Sequence, residues 1–213
     1  MARPRTPAGR ARETNTRLTG EYPDARCELD HRNPYELLVA TILSAQCTDV
    51  RVNLVTPELF ARYPTPEDLA QADPGVVEEL IRSTGFYKNK TRSLLGMADA
   101  LVTRFGGEVP RRMADLVTIP GVGRKTANVV RSVALGEPGL PVDTHVTRLS
   151  HLLGLTTQTD AVKIELELNT MVPAAQRGLF SLRLILHGRR VCVARRPRCD
   201  LCVLNDFCPS STV

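Results

Sequence analysis

Lys125, Asp143 and four clustered cysteines hold most of the chemistry this sequence could do. Lys125 follows two glycines in Pro120-Gly121-Val122-Gly123-Arg124-Lys125, in the first turn of an expected helix. A helix N-terminus carries unpaired N–H groups and the positive end of the dipole. Those amides make an anion site, and a phosphate is its natural occupant. The dipole and the adjoining Arg124 both disfavour an ammonium at Lys125, so both favour the free amine that a Schiff-base nucleophile requires. A bound phosphate would oppose them. Gly121 and Gly123 can adopt positive φ and admit a close backbone approach. A hairpin of this kind grips phosphate through backbone amides, without reading base sequence. The same glycines could instead serve a tight packing turn between helices.

Asp143 opens Asp143-Thr144-His145, where an aspartate is a strong N-cap. Its carboxylate could also act as base or electrostatic partner to an amine. Cys192, Cys199, Cys202 and Cys208 form C-x6-C-x2-C-x5-C, while Cys27 and Cys47 stand apart. Such crowding argues for one metal site rather than scattered disulfides. Zinc and a four-iron cluster both take thiolates. A single C-x2-C pair with two wide arms favours iron. Arg195, Arg196 and Arg198 lie between the first two cysteines and suit a phosphate-contacting surface, or else a solvated loop. Gln46 and Phe86 fall at expected helix ends, from which either could enter a base stack. His145 and His151 read as structural, because the cysteines already make a full ligand set.

The elements that must position these residues are helical. Apolar spacing follows the helical period nearly throughout, with no sustained alternation. Residues 1–12 are expected to be disordered and a first helix to span Glu13 to Thr19. Asn33-Pro34-Tyr35-Glu36 is a strong helix start, and the helix after it should bury Leu37, Leu38, Thr41, Ile42 and Ala45. The next helix, from about Asp49 towards Ala61, should kink or break at Pro57. Short helices start at Thr65-Pro66 and Asp73-Pro74, and a long one covers Lys88 to Phe105. Met113 to Val117, the glycine turn, and Arg124 to about Leu135 form a helix-hairpin-helix. Gly136 to Pro141 is the best linker, with four Gly or Pro in six residues. Further helices are expected from Asp143 to Leu153, Ala161 to Met171 and Gly178 to Arg190.

With 213 residues, 42% hydrophobic content and a net charge of +5, the chain fits a core-bearing soluble protein with a polyanionic partner. No apolar run approaches the roughly 18 residues of a membrane span. Arginines at 3, 5, 10 and 12 have no apolar segment behind them, so no secretory signal is expected and the cytosol is the expected compartment.

The ordered combination resembles the bacterial endonuclease III family. It comprises the Pro-Gly-Val-Gly-Arg-Lys hairpin, Val142-Asp143-Thr144-His145, Leu43-Ser44-Ala45-Gln46, Ile185-Leu186-His187-Gly188-Arg189 and the terminal cysteines. The resemblance runs from about Arg17 to Cys208. It implies an all-α fold of two helical domains flanking a DNA-binding cleft. A six-helix domain at 34–137 would hold the hairpin, and residues 1–33 with 138–213 would carry the cluster. It implies a base-excision glycosylase with abasic-site lyase activity on duplex DNA, acting as a monomer on oxidised pyrimidines. Lys125 would be the nucleophile, with Asp143 facing it and assisting. Gln46 would fill the gap left by an extruded nucleotide, and Gly121, Val122 and Gly123 would grip phosphate. The four cysteines would hold a 4Fe-4S cluster. Family members often carry leucine as the apolar wedge where Phe86 stands. A monofunctional adenine-removing relative, a non-catalytic DNA-binding module and an electron carrier are the alternatives.

Overall fold

A computed structural model of the chain describes residues 3–213, and every regular element among them is helical. Two compact units emerge: Cys27–Glu137, and Met1–Arg26 together with Pro138–Val213. The first contains α2 (Pro34–Leu43), α3 (Asp49–Arg62), α4 (Pro66–Ala70), α5 (Pro74–Ile81), α6 (Tyr87–Phe105), α7 (Met113–Leu116) and α8 (Arg124–Ala134). The second contains α1 (Pro7–Glu21), α9 (Thr144–Leu152), α10 (Ala161–Met171) and α11 (Arg177–Arg190), followed by the cysteine loop. The first unit thus has seven α-helices rather than six.

The boundary expected at 33/34 falls at 26/27. Asn53 of α3 accounts for the shift. Its side-chain amide donates to the Glu28 carbonyl at 2.8 Å, and its carbonyl accepts from the Asp30 N–H at 3.0 Å. Cys27 and Leu29 then pack on this unit's core. The other boundary, 137/138, lies within the Gly- and Pro-rich stretch.

Helix α2 runs through the middle of its unit. Asn33 caps it, accepting from the Glu36 N–H at 2.9 Å with Pro34 in the first turn. The Glu36 carboxylate reaches back one residue further than a capping box requires, accepting from the Arg32 N–H at 2.7 Å. Leu37, Leu38, Val39, Ala40 and Leu43 are all fully buried. A helix apolar on every side belongs inside a core, and each buried leucine stabilises by roughly 2 kcal/mol. Ala45, expected in the core, is exposed because α2 has already ended. Helix α3 is continuous through Pro57. Burial of Val52, Val55, Thr56, Leu59 and Phe60 around the proline outweighs the lost backbone bond, which costs about 3 kcal/mol.

The basic N-terminal segment is helical from Pro7, not disordered to residue 12; Met1 and Ala2 lie outside the described residues. Thr6 caps α1 by accepting from the Gly9 N–H at 3.1 Å. Arg10 donates to the Leu153 carbonyl at 2.8 Å and also bonds the Gly154 carbonyl, both beyond α9. Ala11, Thr14 and Leu18 form the buried stripe. An arginine of the stretch expected to be disordered thus ties the helix down.

Candidate nucleic-acid interface and metal centre

The hairpin is built by apolar residues that face inward. Leu116, Ile119 and Val122 are buried in the core of the Cys27–Glu137 unit. The turn closes through Ile119 N–H to Leu116 O at 3.1 Å and Val122 N–H to Ile119 O at 3.0 Å. Val122 therefore gives both side chain and amide to the fold. Arg104 of α6 pins the start of the turn, donating to Thr118 Oγ1 at 2.6 Å. Pro120 sits so close to Gly96 of α6 that a Cβ there would lie 3.1 Å from the proline Cβ.

The two glycines have different jobs. Gly121 has φ +78°, and a Cβ on it would lie 2.7 Å from Ser93 Cβ. The fold itself requires this glycine. Gly123 has an ordinary φ of −83°, contrary to the expectation of positive φ, and a Cβ there would meet only open space. It is the N-cap of α8 and supplies no side-chain acceptor. The first amides of α8 thus lack a capping side chain, and the space beside them is clear. Lys125 is the second residue of that helix and is exposed.

Gln46 and Phe86 are the only non-glycine residues with positive φ among the described residues, at +52° and +49°. For an L-residue this conformation costs about 1–2 kcal/mol, and such strain gathers at functional sites. Phe86 is 61% exposed, an unusual position for a large ring. Both residues line one cavity of about 230 Å³ with Ile42, Asn89, Ser93 and Gly121. The hairpin and the two strained residues therefore share one face of this unit.

Asp143, in the other unit, caps α9 by accepting from the Val146 N–H at 2.8 Å. In the same unit the thiols of Cys192, Cys199, Cys202 and Cys208 line one cavity of about 60 Å³. That space exceeds what a single water or ion needs. No three His, Cys, Asp or Glu side chains among the described residues lie close enough to hold a lone metal ion. A mononuclear zinc site draws its four sulfurs together at Zn–S distances of about 2.3 Å. Four cysteines around one cavity larger than a single ion needs fit a polynuclear cluster. Burial pushes the Cys192 and Cys208 thiols up and Cys202 to about 11, so loading the site must displace protons.

Sequence reasoning missed the residues that frame this loop. Arg148 of α9 donates to the Cys192 carbonyl at 2.6 Å. His187 of α11 is buried, with Nδ1 3.2 Å from the Tyr22 hydroxyl and Nε2 3.3 Å from Cys202 Sγ. Burial, then Arg148, pushes this imidazole down to about 4. Arg17 of α1 forks onto Asp206 at 2.6 and 3.0 Å and donates to the Val203 carbonyl at 2.8 Å. Of the three loop arginines, Arg198 is turned onto the Arg190 carbonyl at the end of α11. Arg195 and Arg196 are exposed.

Comparison with known proteins agrees with this arrangement. Residues 39–174 match the model of the HhH-GPD superfamily of base excision DNA repair proteins. Residues 192–208 match the iron-sulfur binding domain of endonuclease III. An endonuclease III from Synechocystis is 53% identical over 203 residues, covering 95% of this chain and 93% of that protein. The chain belongs to the endonuclease III family. A solved non-covalent endonuclease III–DNA complex is 43% identical, with a TM-score of 0.89 and 95% coverage of both chains. A trapped endonuclease III–DNA covalent intermediate gives the same TM-score and identity. The chain is accordingly a base-excision DNA glycosylase and abasic-site lyase that binds DNA and carries a 4Fe-4S cluster. No helix among the described residues is long and apolar enough to cross a membrane.

Proposed function

We propose that the substrate is duplex DNA bearing an oxidised pyrimidine or an abasic site, and that Lys125 is the nucleophile. The observation that carries this reading is the start of α8. An exposed lysine stands in the first turn, beside an N-cap glycine whose open side leaves room for a phosphate. The Gly121 and Gly123 backbone and the first α8 amides grip the strand next to the lesion. The target nucleotide is extruded from the stack, Gln46 fills the gap, and Phe86 wedges beside it. The Lys125 amine attacks C1′, the damaged base leaves, and a Schiff base forms with the opened sugar. Asp143 assists the attack and the base's departure. Loss of a 2′ proton then expels the 3′ phosphate, which becomes the 5′ phosphate of the downstream strand, and water hydrolyses the remaining imine to free Lys125 and an unsaturated aldehyde. Cys192, Cys199, Cys202 and Cys208 hold the cluster, whose contribution is to fix the loop that presents Arg195 and Arg196 to the backbone. The protein works as a cytoplasmic monomer.

A panel of single-lesion duplexes tests the reading. Oxidised or saturated pyrimidines should be released, with a nick that forms without alkali. Release without a nick would make the chain monofunctional, and salt-sensitive binding without release would make it a binding module.

The hairpin assignments separate by substitution. Gly121→Ala should lower stability by about 2 kcal/mol, a combination of φ strain and the contact with Ser93. Gly123→Ala should leave thermal unfolding within about 0.5 kcal/mol of wild type while weakening duplex binding, because its methyl occupies the space meant for the phosphate. Calorimetry and duplex titration together check both. Unchanged binding by the Gly123 variant would remove the phosphate from this helix end.

A further inference from the structure

Among the described residues Lys90 is the one buried lysine, only 5% exposed. Its Nζ donates to the Leu43 carbonyl at 2.7 Å and to the Thr84 carbonyl at 2.8 Å. Leu43 is the last residue of α2, three residues before Gln46. Thr84 ends the 3-10 turn Arg82–Thr84, two residues before Phe86. The Lys90 backbone N–H also donates to the Phe86 carbonyl at 3.0 Å. One residue of α6 therefore holds both ends of Thr84-Gly85-Phe86, and with the same ammonium it holds the root of the turn that carries Gln46.

We infer that Lys90 is a positioning residue that locks Gln46 and Phe86 together in their strained conformations, so that both enter the duplex as one preformed unit. The inference rests on the reading above that these two residues enter the stack. Strained backbone persists only where its surroundings over-determine it. Gln46 and Phe86 lie on separate connections, and Lys90 bonds the helix end from which the first departs and the 3-10 turn that leads into the second. Its side chain also lines the cavity that they share with Gly121, so the same α6 face reaches the phosphate-gripping hairpin. An ordinary helix C-cap would explain the bond to Leu43. It would not explain the second bond, to Thr84, on a different connection. Burial pulls the ammonium's pKa down, opposed by the neighbouring Cys47, and two carbonyl acceptors answer that desolvation.

The test is a double-mutant cycle read by base unstacking. The probe is a duplex with a tetrahydrofuran abasic analogue opposite 2-aminopurine, whose fluorescence rises when it leaves the stack. Wild type should give a strong rise, and the Gln46→Ala/Phe86→Ala double variant should lose most of it. Lys90→Met should lose most of it too, with single-turnover base release from a lesion duplex slowed on the order of 10-fold and KM changed less. Added to the double variant, Lys90→Met should change the signal less than about twofold, as coupled residues do. Should Lys90→Met not accumulate as folded protein, Lys90→Gln, which keeps one donor, carries the same cycle with a smaller loss. Equal fractional losses in both backgrounds would mark a general structural defect and overturn the inference. So would full unstacking by the Lys90 variant while the double variant fails. Full unstacking by the double variant would instead bring down the stack-entry reading, and the inference with it.

Discussion

Lys125→Ala will abolish the covalent adduct that borohydride traps with abasic duplex, and duplex affinity will stay within a few-fold of wild type. The two readouts separate because the residue's neighbours divide the work. In the proposed reading, phosphate binding at the start of α8 relies on backbone amides and on the space beside Gly123, neither of which needs the Lys125 side chain. The side chain is exposed, so its loss opens no cavity in the core. Covalent chemistry has no substitute for the amine, and removing a nucleophile costs on the order of 10⁴-fold or more in turnover. Lys125→Arg sharpens the result. A guanidinium keeps the positive charge but cannot lose its proton at neutral pH, so binding should be kept and trapping lost. Trapping by Lys125→Ala at the wild-type rate would move the nucleophile elsewhere.

How much of this was legible beforehand differs from residue to residue. The helix starts at Asn33-Pro34, Thr65-Pro66 and Asp73-Pro74 are visible because each N-cap signal is local: a side-chain acceptor followed by proline at the first helical position. The start at Thr6-Pro7 carries the same signal, but four arginines in the first twelve residues masked it. What fixes α1 is long-range, namely Arg10 on the carbonyls after α9 and Arg17 on Asp206. Spacing cannot announce either contact. The continuity of α3 through Pro57 is likewise a tertiary effect, set by burial on both sides of the proline.

The site shows the same division. Pro-Gly-Val-Gly-Arg-Lys announces the hairpin, yet only the backbone angles separate a glycine the fold requires, Gly121, from one it leaves uncovered, Gly123. Gln46 and Phe86 looked odd in sequence merely as residues at helix ends. Positive φ and the 61% exposure of the ring turn that oddity into a physical observation. Lys90 was invisible, since Lys88-Asn89-Lys90 reads as a polar helix start and nothing local says that one of the two lysines points inward. His187 and Arg148 were hidden for a similar reason. Their roles depend on which helix faces the cysteine loop, and that is a property of the packed unit.

Asp143→Asn should retain duplex binding and slow base release by about 10²–10⁴-fold, the usual range for losing a positioned acid or base. Asparagine is the informative replacement because Asn and Asp are nearly equivalent N-caps. The Val146 N–H, now 2.8 Å from the Asp143 carboxylate, keeps an oxygen acceptor in the variant, so α9 should begin at the same residue and thermal unfolding should shift by no more than about 0.5 kcal/mol. Asp143→Ala removes cap and carboxylate together and should lose about 1 kcal/mol of stability in addition. The difference between the two variants measures the cap, and the loss they share measures the chemistry. Single-turnover release from a lesion duplex, set beside calorimetric unfolding, gives both numbers. Wild-type release by Asp143→Asn would reduce Asp143 to a helix cap. Lys125 would then need another group to accept its proton during attack, and the residues nearest it at the start of α8, Arg124 and Thr126, offer no carboxylate for that task.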